Sequence, residues 1–510
     1  MLSVARPCYY LARLARCLQG WKGLVAASLL LPVAASAQPS FDASWYDPNA
    51  PHVKIAVVED GVYRVASSQL AAAGMPSSAD PSTFRLLENG REVPIDVDGG
   101  DIIFVGQRNR GTDETWAYDG NPALQNSTYY SLFSDTTFYW LTWGGAAGRR
   151  YQPADPPSGT ATSVVRDTLH REQDNTYFYG QSSGDPRYTQ GEGYYWSRFS
   201  INTAGNTIEQ TYAVPLDRFA NSAGEDVTVR VQLMGTSGSR HRVQLAVEPA
   251  GGGGTLAADE ATWDRYTPAM LSATVPAGSM PADGALQVRL TSFGDAAYGT
   301  PNYVSLDWIE AHYPRTLSAD GASDAQHVAT APGAYTFTLT GHTDPVRVYA
   351  PATGRRYGAA SQGSGSFTFD AAPTAPTTYW VTGATGYRTP ADVRLDTLVD
   401  WAAASNAADY VILTTQALRP SAEDLAAYRQ NANGYATAVV NVQDVFDQFD
   451  YGRPTPVAIR RFIRATQSWQ TPPRFVAIWA DAPFPVSKSG GVPRPRPAWA
   501  VPSFGYGPSD

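Results

Sequence analysis

Tyr410-Val411-Ile412-Leu413-Thr414 is an unbroken apolar run closed by a hydroxyl residue. A strand with one wet face alternates, whereas an unbroken run suits a strand covered on both faces, as in a parallel sheet. Downstream, Ser421 with Asp424 three residues on predicts a helix start, and Asn433-Gly434 its end. A second strand is expected over Ala438-Val439-Val440-Asn441-Val442. Thr455 and Pro456 then cap and open a second helix with Ile459, Phe462, Ile463, Thr466 and Trp469 on its apolar face. The third strand is Phe475-Val476-Ala477-Ile478-Trp479-Ala480, closed by Asp481. Strand, helix, strand, helix, strand implies an open parallel α/β sheet with right-handed crossovers. Ligands gather at the carboxyl ends of such strands, here Thr414-Thr415, Gln443-Asp444 and Asp481-Ala482.

Upstream the pattern is β. Val53, Ile55 and Val57 share one strand face with Lys54 on the other, and Asp60-Gly61 predicts a hairpin turn into Val62-Tyr63-Arg64-Val65. A second hairpin is expected from Phe84 to Ile95 around Asn89-Gly90, with further strands at Ile102–Val105 and Phe138–Trp143. Between about 200 and 317 the alternation of Val227, Val229, Val231 and Leu233 recurs at Val243, Leu245, Val247 and at Leu286, Val288, Leu290, the signature of a β-sandwich. A smaller β region follows at about 325–385. The fold class is therefore multidomain: β-rich N-terminal domains with a β-sandwich, then an incomplete α/β parallel-sheet domain. The segments are 1–37, 38–160, 161–320, 321–395 and 396–510.

Residues 1–37 combine Arg6, Arg13, Arg16 and Lys22 with the apolar stretch Leu24–Ala35 and Ala35-Ser36-Ala37, the pattern of a cleaved secretory signal. The apolar stretch is short of the roughly 20 residues that span a bilayer, and no later stretch could do so. The expected location is exported: periplasmic, cell-surface or extracellular. Losing residues 1–37 removes four basic and no acidic side chains, moving the formal charge from −9 to −13. An acidic product argues against nucleic acid as a partner. Lysine occurs only at Lys22, Lys54 and Lys488, which we read as a compositional habit and not as a site. The two cysteines, Cys8 and Cys17, fall inside the signal, so the exported part has no disulfide, thiolate metal site or thiol nucleophile.

Other chemistries lack their motifs. Thr414–Pro420 has no glycine for a dinucleotide pyrophosphate. Gly235-Thr236-Ser237-Gly238 and Gly363-Ser364-Gly365-Ser366 lack the nucleophile-elbow pattern and read as turns. The six histidines, His52, His170, His241, His312, His327 and His342, are isolated, and no metal assignment follows from them. Asp96-Val97-Asp98-Gly99-Gly100-Asp101 superficially resembles a calcium loop but lacks its bidentate glutamate, which favours an acidic hairpin. Tryptophans such as Trp140, Trp143 and Trp308 fit packing between sheets, with a sugar-binding role left open for some.

The α/β segment resembles the gingipain-like cysteine peptidases. The residues that carry the resemblance are Tyr410–Thr414, Leu425-Ala426-Ala427-Tyr428-Arg429, Val440–Phe449, Tyr451-Gly452, Ala458–Phe462 and Val501-Pro502-Ser503. Upstream, Trp45-Tyr46-Asp47-Pro48, Glu59–Arg64, Tyr139–Gly145, Asp307-Trp308-Ile309-Glu310 and Tyr313-Pro314-Arg315 resemble the β-rich leader of larger, type IX secretion sortase-like members. The resemblance implies a caspase-like fold and peptide hydrolysis by a cysteine thiolate with a histidine general base. Both groups lie further along the family sequence than Asp510, so no catalytic histidine or cysteine is identified. The family's third strand commonly ends Gly-Asp; here Ala480 precedes Asp481. Asp481 and Asp510 are the site candidates, as orienting or substrate-facing carboxylates; the alternative is that each is a loop-surface or backbone-capping carboxylate. No cofactor is required by the sequence, and structural calcium is compatible with the resemblance. Expected partners are protein or peptide substrates and secretion-machinery components, with no nucleic acid. The two competing functions are a secreted gingipain-like endopeptidase, truncated before its catalytic pair, and a non-catalytic exported β-sandwich binding or assembly module with a vestigial α/β domain.

Overall fold

A computed structural model describes residues 41–118, 122, 125, 127–178, 194–294, 297, 299–319, 325–396, 399–481, 488–489 and 492–493. The expected signal, 1–37, lies outside the described residues, as does Asp510. Everything below belongs to one unit, Asp42–Asp510.

The first β region has a five-stranded sheet in the order 392–396, 52–57, 137–142, 85–88, 91–93. A three-stranded sheet of 61–65, 101–106 and 96–98 faces it, and Val53, Ile55, Val57, Leu86, Phe104 and Leu141 fill the core between them. The strands His52–Val57 and Gly61–Val65 are not a hairpin, contrary to the sequence reading: the first pairs with Thr137–Thr142 and Asp392–Asp396, the second with Asp101–Gly106. Asp60-Gly61 is a corner between sheets. The second expected hairpin is present. Asn89 (φ 46°) and Gly90 (φ 73°) form a two-residue turn with Glu88 opposite Arg91, the left-handed geometry that Asn-Gly tolerates. The acidic stretch is likewise a hairpin, Asp98 opposite Asp101. Its carboxylates bind arginines: Asp101 takes Arg64, Asp98 takes Arg347 and Asp96 takes Arg356.

The β-sandwich packs a sheet of 164–172, 302–316, 227–235, 268–275 and 197–201 on a sheet of 207–215, 285–293, 240–249 and 257–264. Every residue of the three alternating series read from the sequence is buried in its core. Each contributes about 1.5–3 kcal/mol by leaving water. A further pair of sheets is built on 325–330, 377–382, 347–350 and 355–358, and on 360–363, 366–371 and 335–339. Strand pairing crosses the segment boundaries expected above. Gln152–Ala154 and Thr160–Thr162 add parallel to Arg355–Gly358 and Tyr335–Leu339 of this later region, and Asp392–Asp396 returns to the first sheet. Short strands cannot satisfy their backbone alone, so they join whichever sheet edge is near.

The α/β segment holds the parallel sheet 437–441, 410–414, 475–479, with Tyr410 opposite both Thr437 and Phe475. The central strand is buried from Val411 to Thr414 as expected. The first helix, Arg419–Asn433, begins earlier than read: Leu418 is its N-cap, Pro420 lies in its first turn, and Ser421 Oγ donates to the Leu418 carbonyl. It ends at Gly434 in the left-handed conformation. The second strand stops at Asn441, one residue early. Val442–Asp450 then forms a helix that the sequence reading did not contain, capped by Asn441. Thr455 caps the helix Pro456–Ala465 as expected, Oγ1 accepting from Ala458 N, and Ile459, Phe462, Thr466 and Trp469 are buried. Among the described residues the third strand, Phe475–Trp479, lies at an edge of this sheet and is largely exposed.

Candidate functional site

The carboxyl edge of the parallel sheet gathers the residues expected there. Thr414 and Thr415 end the central strand, both buried; Thr414 Oγ1 donates to Trp479 O at 2.9 Å and ties the central strand to the third. Among the described residues the Thr415 hydroxyl has no hydrogen-bond partner. On the other side Asn441 Oδ1 accepts from Gln443 N at 3.2 Å, so Gln443 and Asp444 lie in the first helical turn and not in a strand-end loop. Asp444 is held up at about 6, chiefly by burial and then by the charge of Asp447. Asp481 stands exposed just beyond the third strand. This edge offers carboxylates, an amide and hydroxyls, groups that can position a peptide or orient a base. It holds no thiol or imidazole, for no cysteine follows Cys17 and no histidine follows His342.

What fixes this edge in place is the face of the first β sheet. His52–Val57 is buried at every position; on its second face His52 stacks on Tyr46, and Lys54 reaches the helix Val442–Asp450. Lys54 Nζ pairs with Asp447 Oδ1, both side chains almost wholly buried, and lies 4.1 Å from the Phe138 ring centroid. Gln443 Nε2 donates to the same Asp447 oxygen at 2.9 Å. Trp45 Nε1 donates to Gln448 O at 3.2 Å and Trp140 Nε1 to Tyr451 O at 3.0 Å, satisfying carbonyls at the helix end. Asp396, from the strand that joined this sheet, is pushed up to about 7 by burial and by Asp447, against the pull of Lys54. Asp450 completes the anchor: Arg461 Nη1 donates at 2.6 Å, Arg453 Nη2 at 3.1 Å and Thr455 Oγ1 at 2.6 Å, and Arg453 also reaches Asp113 of the β region. The sequence reading passed over Lys54. The signal was available: one of three lysines, in the middle of an apolar strand.

The other candidates do not join this edge. His241 is buried against Asn302 and the Arg265 carbonyl, and His312 lies on the sandwich. His170 is buried between Glu172 (2.8 Å) and Glu310 (2.9 Å), and those carboxylates raise its pKa against the opposing effect of burial. Asp307 is fully buried, with neither oxygen hydrogen-bonded among the described residues, and burial together with Glu172 and Asp174 pushes its carboxyl well above the usual range. Among the described residues no group of three or more His, Cys, Asp or Glu could hold a metal ion. Trp140 and Trp308 are buried as packing residues.

A parallel α/β sheet after a β-rich leader, with carboxylates at its carboxyl edge, defines a class when taken with sequence. Residues 403–510 match the family model of Peptidase family C25. Over 82% of its length the chain is similar to the dimeric latent PorU of Porphyromonas gingivalis, with a TM-score of 0.58 and 20% identity, and the match spans 40% of that chain. At that identity the likeness establishes the fold. An insecticidal delta-endotoxin from Bacillus thuringiensis is similar over 37% of this chain and 29% of its own, at 11% identity and a TM-score of 0.18, too low to carry an argument. No curated protein matches the sequence. Among the described residues no helix is long and apolar enough to cross a membrane.

Proposed function

We propose that residues 38–510 are the β-rich leader and the first part of the catalytic domain of an exported gingipain-like cysteine endopeptidase acting on protein substrates, in which thiolate and imidazole come from outside this stretch. The observation that carries the reading is the family C25 match over a parallel sheet whose carboxyl edge is anchored but has neither cysteine nor histidine. In this role Asp481, at the open end of the third strand, orients the base or faces substrate, and the buried anchor around Lys54 and Asp450 holds the sheet edge rigid. Residues 38–510 alone then hydrolyse nothing by thiol chemistry.

The test is to assay purified residues 38–510 on an unstructured protein such as casein, with and without a thiol-blocking reagent. No turnover is expected; turnover abolished by the reagent refutes the reading, because no thiol is present. Reading the coding DNA beyond Asp510 separates this function from a non-catalytic binding module. An in-frame continuation with a histidine and a cysteine after further strands is expected, and a stop there overturns the catalytic assignment.

A further inference from the structure

A cavity of about 430 Å³ lies where the strand Gln152–Ala154 joins Arg355–Gly358, and its wall carries Arg149, Arg150 and Arg355. This is a size typical of small-ligand pockets. The protein is acidic overall, and most of its described arginines lean on a carboxylate; one residue along, Arg356 binds Asp96, and Arg347 binds Asp98. Among the described residues none of the three cavity arginines forms an ion pair. Each is held by neutral carbonyls. Arg150 donates to Phe84 O (2.9 Å), Pro81 O (2.6 Å), Ser82 O (3.1 Å) and Arg149 O (3.0 Å), which uses both its terminal nitrogens and fixes its charge in place.

Arg149 spends only Nη1, on Glu92 O at 2.7 Å, and Arg355 only Nη1, on Pro153 O at 3.2 Å. A guanidinium has five N–H donors in a planar fork, so each of these two keeps an open side for bidentate recognition. The carboxylate of Glu92 is already engaged: it accepts from the Arg149 main-chain N–H at 2.6 Å and from Arg85 at 3.2 Å. Gly354, in a left-handed turn (φ 65°), forms part of the wall. Its backbone conformation is one that side chains other than glycine rarely adopt. Three positive charges, two with unused planar forks, match a tetrahedral dianion better than a single carboxylate.

We propose that this cavity is a phosphate-binding site, in which Arg149 and Arg355 grip the phosphate monoester of a small ligand and Arg150 supplies a fixed positive charge behind them. The phosphate could reach it on a soluble molecule or on a lipid headgroup, and one experiment separates the two. The protein is titrated calorimetrically with inorganic phosphate at low salt, and in parallel with phosphatidylcholine vesicles with or without phosphatidic acid. Saturable phosphate binding is expected, weakening as salt rises. Arg149→Gln and Arg355→Gln should each weaken it by about tenfold or more, since each removes a charge-assisted bond. Arg356→Gln, a paired arginine next door, should leave it unchanged. Binding to phosphatidic acid vesicles in addition assigns the lipid source; binding to phosphate alone assigns the soluble one. All three arginines are removed from exposed positions, and an unchanged melting temperature confirms folding. The proposal is overturned by no saturable binding of either probe, by equal loss in Arg356→Gln, or by acetate competing as well as phosphate.

Discussion

Replacing Lys54 by methionine tests whether the first β sheet anchors the α/β segment. The substitution keeps the side chain's length and apolar contact with Phe138 and Trp140 but removes the cation, leaving Asp447 buried beside Asp396 and Asp444. Removing one partner of a buried ion pair costs about 3–5 kcal/mol, and the Gln443 bond to Asp447 places this case toward the lower end. Since several β sheets lie in the same chain, a global unfolding energy would blur the effect. Amide hydrogen exchange over Val442–Asp450 reads it locally. At about 1.4 kcal/mol per tenfold, protection should fall by roughly two to three decades at pH 8. The pH dependence is a second reading. Asp396 and Asp444 have folded pKa values near 7 and 6, raised above the ordinary 3.8. They hold protons that the unfolded chain has released, so their contribution is full below about pH 4 and is lost as pH rises through 6 and 7. Lys54 eases the ionisation of both, so the variant's loss should be larger at pH 8 than at pH 5. The double variant Lys54→Met/Asp447→Leu replaces the pair with apolar groups and should recover most of the protection. A loss below tenfold, an equal loss at both pH values, or a double variant as weak as the single would refute the reasoning.

Asp307→Asn should flatten the fall of thermal midpoint with rising pH and raise the midpoint above pH 6, because it removes a fully buried carboxyl whose raised pKa opposes folding once it must ionise; a profile parallel to the parent would contradict this. Thr455→Ala removes both the cap acceptor for Ala458 N and the donor to Asp450 and should cost about 1–2 kcal/mol in exchange protection of Pro456–Ala465, while Thr455→Ser keeps most of it; identical effects of Ala and Ser would exclude the hydroxyl as cause. The third parallel strand exposes Phe475, Ile478 and Trp479 at 44%, 49% and 41% along a sheet edge. Ile478→Lys should therefore shift residues 38–510 from self-association toward monomer in sedimentation velocity, and a monomeric parent would remove the premise.

Local patterns determined much of this protein by themselves. Period-two alternation at Val227–Leu233, Val243–Val247 and Leu286–Leu290 was enough to locate the sandwich core, because each strand in an antiparallel pair buries one face regardless of its partner. The run at 410–414, the turn at Asn89-Gly90 and the cap at Thr455 depend on a few neighbouring residues, and they formed as written. Which strands meet was not legible. His52–Val57 and Gly61–Val65 are joined by a turn sequence yet enter different sheets, and Asp392–Asp396 crosses the whole β region to pair with the first of them, since backbone hydrogen bonds carry no address. Lys54 shows the same limit at the site. In sequence its face of the strand looked wet; tertiary structure brought Asp447 of the helix Val442–Asp450 to it, and a lone lysine became the buried counter-ion that ties the α/β segment to the first sheet. Sequence specifies what each surface can bind, and burial decides which of those bindings is used, because a charge removed from water must find its partner wherever the chain brings one.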